Sequence, residues 1–315
     1  MGRVTIGVDA GGTKTAAAMV TPGGEIVEFA SVPTPRSDAE AALATLVDVT
    51  AEMMSRAGGH EVAGIGMGLA GLVDRARKVF VYGPNYPLLD VDVGRAMERF
   101  GLPVLVANDA DVAAWAEYLF GAGRRCREMV MVTLGTGIGG GIVSGGRPFG
   151  GANGFAGEIG HLVFAADGVL EGDGAGRHWE RFASGTALDA MARDAAAADP
   201  AGAIAGVAGG DPARARGADV VAAVTGGDAV ALEVMDRYAA RVAVGIAGLI
   251  QVLDPARVVV GGGVCEAGDA LFEPLRSHVR RLVTGAEHRP EVPVVPAELG
   301  PHAGVIGAAS LALEH

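Results

Sequence analysis

Two glycine-rich turns in this chain have the composition of phosphate cradles. The first lies in Val4 to Glu25, VTIGVDAGGTKTAAAMVTPGGE, and the second in Met129 to Gly151, MVMVTLGTGIGGGIVSGGRPFGG. Each runs in the order apolar strand, turn of glycines and Thr, small-residue strand, second glycine turn. Glycine lets consecutive backbone N–H groups converge on one point, and a Thr hydroxyl adds a donor, so such a turn can hold a phosphate. An ordinary glycine-rich hairpin is the alternative. The spacing Gly135, Gly137, Gly140 also matches G-x-G-x-x-G with Glu158 downstream, but a dinucleotide fingerprint needs a helix at its third glycine, and Gly141-Ile142-Val143 reads as strand. The turn is therefore expected to span Gly135 to Gly141, with the second strand at Ile142-Val143. Its repetition predicts a duplicated α/β protein with one phosphate turn in each half.

A second chemical feature is Asn108-Asp109, at the carboxyl end of the apolar run Pro103 to Ala107 and ahead of a helix over Val112 to Phe120. Ligands of open α/β sheets gather at that end of the strands. One of the two can serve as the helix N-cap, which leaves one to spare, and Asp109 is the candidate for function. Asn85, in the stiff loop Tyr82 to Pro87, is either a site residue or an Asn that satisfies its own turn. Gly261-Gly262-Gly263 ends a buried strand and either faces a nucleotide or is a plain strand-helix turn.

These residues must be positioned by a chain of 315 residues, half of them apolar, which is enough for about two domains. A net charge of −12 argues against nucleic acid or an anionic membrane as partner. Lys14, one of two lysines, stands beside the first turn. Cys126 and Cys265 have no pairing signature, and neither a signal peptide nor a long apolar run is present, so a cytoplasmic protein is expected. Ser37 and Glu40 predict a capping box for a core helix that ends at Gly58-Gly59, and Ser184 starts another helix. Pro200 to Gly217 reads as a surface connection, Ala229 to Leu253 as the main core helix of the second half, Val292 to Val295 as a last strand and Ala303 to Leu313 as a last helix.

Taken in order, Asp9-Ala10-Gly11-Gly12-Thr13-Lys14, Asn85, Asn108-Asp109-Ala110, Leu134 to Gly141, Gly157-Glu158-Ile159-Gly160-His161, Ser184-Gly185 and Leu253-Asp254-Pro255 leading into Gly261-Gly262-Gly263-Val264 resemble the ROK family of repressors, open reading frames and sugar kinases, most closely its bacterial glucokinases. The resemblance covers nearly the whole chain. It implies an actin-like, hexokinase-like (ribonuclease H-like) duplicated α/β fold of two domains around a cleft. The first domain would be 1–112 with the C-terminal helix 303–315, and the second 113–302. It further implies a homo-oligomer, dimer or tetramer, acting on a hexose and ATP with Mg2+. Carried over by position, Asp109 would be the catalytic base, and Gly71, Asn85, Asn108, Glu158, His161 and Glu180 would hold the sugar. Asp9 would face magnesium through water. Gly11, Gly12, Thr13, Lys14, Thr133, Gly135, Thr136 and Gly137 would serve the phosphates, and Gly262 and Gly263 the nucleoside. Phosphoryl transfer needs in-line positioning, charge neutralisation and a carboxylate for the hydroxyl proton, which this set supplies.

The sequence departs from the family's pattern at one place. Relatives usually hold a structural zinc with the His of Gly-x-Gly-His and three cysteines; here Glu171, Asp173 and His178 stand at the cysteine positions. With His161 they are permissible zinc ligands but bind less tightly than thiolates, and a metal-free loop is expected. The implied activity is a glucokinase reaction. The alternatives are a kinase for another hexose, such as N-acetylglucosamine, mannose, allose or fructose, and a non-catalytic sugar-sensing regulator. Regulators of the family carry a helix-turn-helix ahead of the first strand, whereas this chain opens its strand at Val4.

Overall fold

The computed structural model describes residues 2–84, 86–164 and 178–313. Two compact units divide the chain, one made of Met1–Arg127, Gly141–Gly157 and Glu298–His315, the other of Glu128–Gly140 and Glu158–Ala297.

The first unit is built on the strands β1 (Arg3–Ala10), β2 (Lys14–Val20), β3 (Ile26–Pro33) and β4 (Glu61–Leu69), with the helix α1 (Ala39–Ser55) between the last two. A small antiparallel sheet follows, β5 (Leu72–Asp74), β6 (Val79–Tyr82) and β7 (Leu89–Asp92). The helix α2 (Val93–Met97), the strand β8 (Val104–Asn108) and the helix α3 (Asp109–Phe120) come next. The main sheet runs β3-β2-β1-β4-β8, antiparallel across β1–β2–β3 and parallel across β1–β4–β8. β1, central in this mixed sheet, is buried on both faces, with Val4, Ile6 and Val8 alternating with Thr5, Gly7 and Asp9.

β9 (Met129–Leu134), β10 (Ile138–Ser144) and β11 (Arg147–Pro148) repeat the pattern after a three-residue turn. The second unit, which holds β9 and the start of β10, goes on with α4 (Trp179–Ala183), α5 (Gly185–Ala198), α6 (Ala203–Val207), α7 (Gly217–Thr225) and the long α8 (Ala229–Leu253). It closes with β12 (Arg257–Gly261), α9 (Asp269–Leu282) and β13 (Val294–Pro296), and α10 (Ala303–Leu311) returns to the first unit. The second sheet has the order β11-β10-β9-β12-β13, the same succession as the first, so the duplication read from the two hairpins extends to the sheets.

Three local expectations are corrected. The cap of α1 is Asp38, whose carboxylate accepts from the Ala41 N–H, and no Ser37 box forms; the helix starts one residue later than the sequence pattern placed it. The region 200–217 is not all connection, because Ile204 and Ala205 are buried and α6 forms around them. Gly139, Gly140 and Gly141 belong to β10 and not to the turn. A Cβ on Gly141 would stand 2.5 Å from the Ala114 side chain and 2.7 Å from the Ala110 carbonyl, so that glycine lets α3 lie against the strand.

Candidate active site

In the first unit, β8 delivers Asn108 and Asp109 to the point where α3 begins. Asn108 is the N-cap: its Oδ1 accepts from Ala110 N at 2.8 Å and Asp111 N at 3.2 Å, while its Nδ2 donates to the Gly71 carbonyl at 3.0 Å. Capping is therefore the work of Asn108, and Asp109, half-buried in the first turn of α3, accepts from the Ala110 N–H at 2.9 Å. Gly71 has φ of 153°, and a Cβ there would meet Gly83 at 2.8 Å. Two residues beyond Asp109, the buried Asp111 pairs with Arg75, which fixes the start of α3 against the segment after β5.

Asp9, next to last in β1, is electrostatically coupled to the Asp109 carboxylate. Burial above all, and then the Asp109 charge, push its carboxyl up to about 7, with Lys14 pulling the other way. The first turn of α10, which has no side-chain cap, abuts Asp9 at Gly304, where any Cβ would collide with the carboxylate. A buried carboxylate whose proton affinity is raised by burial and by a neighbouring carboxylate marks a site that a divalent cation would relieve. Beside them the turn Gly11 to Thr13 is held open by side chains: Thr34 Oγ1 donates to the Gly11 carbonyl at 2.7 Å and Arg36 Nε to the Gly12 carbonyl at 2.8 Å. The Gly11 N–H is spent on the Lys14 carbonyl at 3.0 Å, and among the described residues the N–H groups of Gly12 and Thr13 have no protein acceptor.

In the second unit, the turn Gly135 to Gly137 is held by the helix it faces. Gly185 N donates to the Gly135 carbonyl at 2.7 Å, and Thr186 Oγ1 to the Thr136 carbonyl at 2.7 Å. The pair Ser184-Gly185 thereby acquires its meaning: Ser184 caps α5 through Ala187 N, and a Cβ on Gly185 would lie 2.5 Å from the Gly135 oxygen. Thr133 turns its hydroxyl inward, accepting from Gly139 N at 3.2 Å, so it closes the hairpin. Gly135 and Thr136 line a cavity of about 360 Å³ together with Gly263, Val264, Leu188 and Val221. Gly262, with φ of 102°, seats β12 against the end of β9.

Glu158, His161 and Glu180 also converge in this unit. Glu180 accepts from Ile138 N at 2.8 Å, and Gly137 has no side chain because a Cβ would strike that carboxylate. Glu158 lies 3.7 Å from His161 Nε2; burial raises its carboxyl above the usual range, His161 opposes the rise and the Glu180 charge adds to it. His161 Nδ1 faces His178 Nδ1 at 3.1 Å.

Thr186, Asp189 and Glu266 line the cavity and were not singled out from the sequence; Thr186 was legible as the first-turn polar residue after the Ser184 cap. Arg75 had no local signal, its partner being 36 residues away. Asn85, Glu171 and Asp173 lie outside the described residues.

The ROK family model matches residues 5–315. A glucokinase of Streptomyces coelicolor is 39% identical over 315 residues, spanning 99% of this chain and 98% of that protein. Among solved structures, a ROK family glucokinase from Streptomyces griseus in complex with glucose and AMPPNP superposes with a TM-score of 0.87 at 38% identity, covering 99% of this chain and 100% of that one. A ROK hexokinase from Thermus thermophilus gives 0.79 at 33% identity, covering 99% and 98%. The fold is thus the actin-like, hexokinase-like one, and the chain belongs to the ROK family.

Proposed function

We propose that this sugar kinase is a glucokinase, transferring the γ-phosphoryl group of ATP to the 6-hydroxyl of D-glucose. Asp109 accepts the hydroxyl proton as the oxygen attacks. Asn108, Glu158, His161 and Glu180, with Gly71 and Asn85, hold the sugar hydroxyls; acidic acceptors and a His suit a ligand that offers several O–H donors. The N–H groups of Gly12 and Thr13 and the turn Gly135 to Gly137 receive the phosphates, with Lys14 beside the first turn, and the cavity that includes Gly263 receives the nucleoside. Asp9, and with it Asp109, fits a magnesium ion bound through water, which would supply charge neutralisation at the phosphates.

The observation that carries this reading is the division of labour at the start of α3. Asn108 caps the helix, and Asp109 stands in the first turn coupled to Asp9. Likeness to glucokinases along the full chain supports glucose as the sugar. The test is Asp109→Asn, which keeps size and hydrogen-bonding reach but removes the proton acceptor. kcat is expected to fall about 10²- to 10⁴-fold with much less change in glucose binding. A variant that keeps more than a tenth of wild-type kcat refutes Asp109 as base. ATP turnover across a hexose panel tests the sugar, and a higher kcat/KM for another hexose would displace glucose.

A further inference from the structure

We infer that His178 is a positioning residue for His161, holding its ring through an Nδ1–H···Nδ1 hydrogen bond in the tautomer that presents Nε2–H to the sugar. The inference rests on the reading of His161 as a sugar contact. The two rings meet edge to face, 85° apart with centroids at 5.0 Å, and their Nδ1 atoms are 3.1 Å apart. A neutral imidazole has one N–H and one lone pair, so one of the two nitrogens donates and the other accepts. If His161 donated, its Nε2 would turn a lone pair toward the Glu158 carboxylate at 3.7 Å, a repulsive pairing. With His178 as donor, His161 keeps its proton on Nε2, facing that carboxylate and whatever hydroxyl lies beside it.

His178 is built into a firm support. Val163 and His178 form an antiparallel bridge, and Trp179 N donates to the Leu162 carbonyl at 2.8 Å, so the segments after His161 and around His178 are tied together. Trp179 is buried, its Nε1 donates to the Arg241 carbonyl at 3.1 Å, and it packs where Gly245 leaves room in α8. On the other side Gly160 lies against the Ile138 carbonyl, which fixes the backbone just before His161.

The structural zinc implied by the family resemblance would meet a weaker ligand set here. Two imidazoles and two carboxylates, of which Glu171 and Asp173 lie outside the described residues, stand where that site has one imidazole and three thiolates, a set that holds zinc less tightly and releases His161 to a direct bond with His178. The second imidazole takes over the orienting role directly.

The experiment compares His178→Phe, His178→Asn, His161→Ala and the double variant His161→Ala/His178→Phe in the full chain, with KM for glucose and for ATP measured separately. Loss of one orienting hydrogen bond is expected to raise the glucose KM about tenfold in His178→Phe, with the ATP KM within about twofold. His178→Asn, whose side-chain amide can donate from nearly the same place, should stay within about threefold of wild type on both. Adding His178→Phe to His161→Ala should change nothing further. If His161→Ala raises the glucose KM and His178→Phe does not, or if the two effects add, the positioning role is overturned while the sugar reading stands. If His161→Ala leaves the glucose KM unchanged, the sugar role of His161 fails and takes the inference with it. Two measurements on the wild type hold even if a variant does not fold. Ring-nitrogen NMR should give the Nε2–H tautomer for His161, the Nδ1–H tautomer overturning the proposal. Elemental analysis of protein purified without a metal-affinity step should find no stoichiometric zinc, and near-stoichiometric zinc also overturns it.

Discussion

The turn at Gly11 to Thr13 is braced by side chains from the segment just after β3, Thr34 and Arg36, whereas the turn at Gly135 to Gly137 leans on the start of α5 and on Glu180. The two hairpins read alike in sequence, and the difference in bracing decides how each can fail. A side-chain brace is removable one hydrogen bond at a time, each worth about 1 kcal/mol. A backbone brace that depends on a missing Cβ fails when a single methyl group is added, because the added carbon takes the space in which the Gly135 carbonyl meets the Gly185 amide.

The largest effect on this contrast is expected from Gly185→Ala. Its Cβ would lie 2.5 Å from the Gly135 oxygen, so the turn has to shift away from α5. kcat/KM for ATP should drop about 100-fold with the circular dichroism spectrum unchanged. A variant within threefold of wild type would mean that the turn does not need this contact.

Asp9 gives the next effect and distinguishes the first turn by charge. Its carboxyl is raised to about 7, chiefly by burial and then by Asp109, so between about pH 4 and 7 the folded state binds a proton that the unfolded state releases. Its contribution to stability is therefore fully present below about pH 4 and lost as pH rises through 7. Asp9→Asn should abolish this loss: between pH 5 and 8 its Tm should fall less than that of the wild type, by about 5 °C in the absence of magnesium. Parallel melting curves for the two proteins would refute the coupling. Smallest are the side-chain braces. Arg36→Ala and Thr34→Val should each raise the ATP KM about two- to fivefold, and together multiply. A loss from either comparable to that of Gly185→Ala would erase the distinction between the two turns.

What could be read from the sequence were features that neighbouring residues settle among themselves. The helix over Ala229 to Leu253 is bounded as its apolar spacing indicates, with Asp228 as cap and Asp254 in the left-handed conformation at its end. Ser184 caps α5 as its position before an amphipathic stretch suggests, and the apolar strands β1, β8, β9 and β12 lie where β-branched runs end in glycine or polar residues. Asn108-Asp109 was legible as a pair with one member to spare, and the structure makes Asn108 the cap.

Only the tertiary structure decided what glycine means at each place. Gly137 makes room for Glu180, Gly141 for α3, Gly185 for the opposing turn and Gly304 for Asp9, four different reasons behind one residue type. A run of glycines signals a turn because local sterics permit one, but the atom that would collide with a Cβ is dozens to hundreds of residues away and leaves no local trace. The same holds for charge and hydrogen bonding. Asp9 is perturbed by a carboxylate 100 residues further on, and His161 is oriented by a ring 17 residues along the chain across a bridge that no periodicity announces. Local propensity and spacing determined the elements and the residues that could do chemistry; long-range packing decided which of them meet.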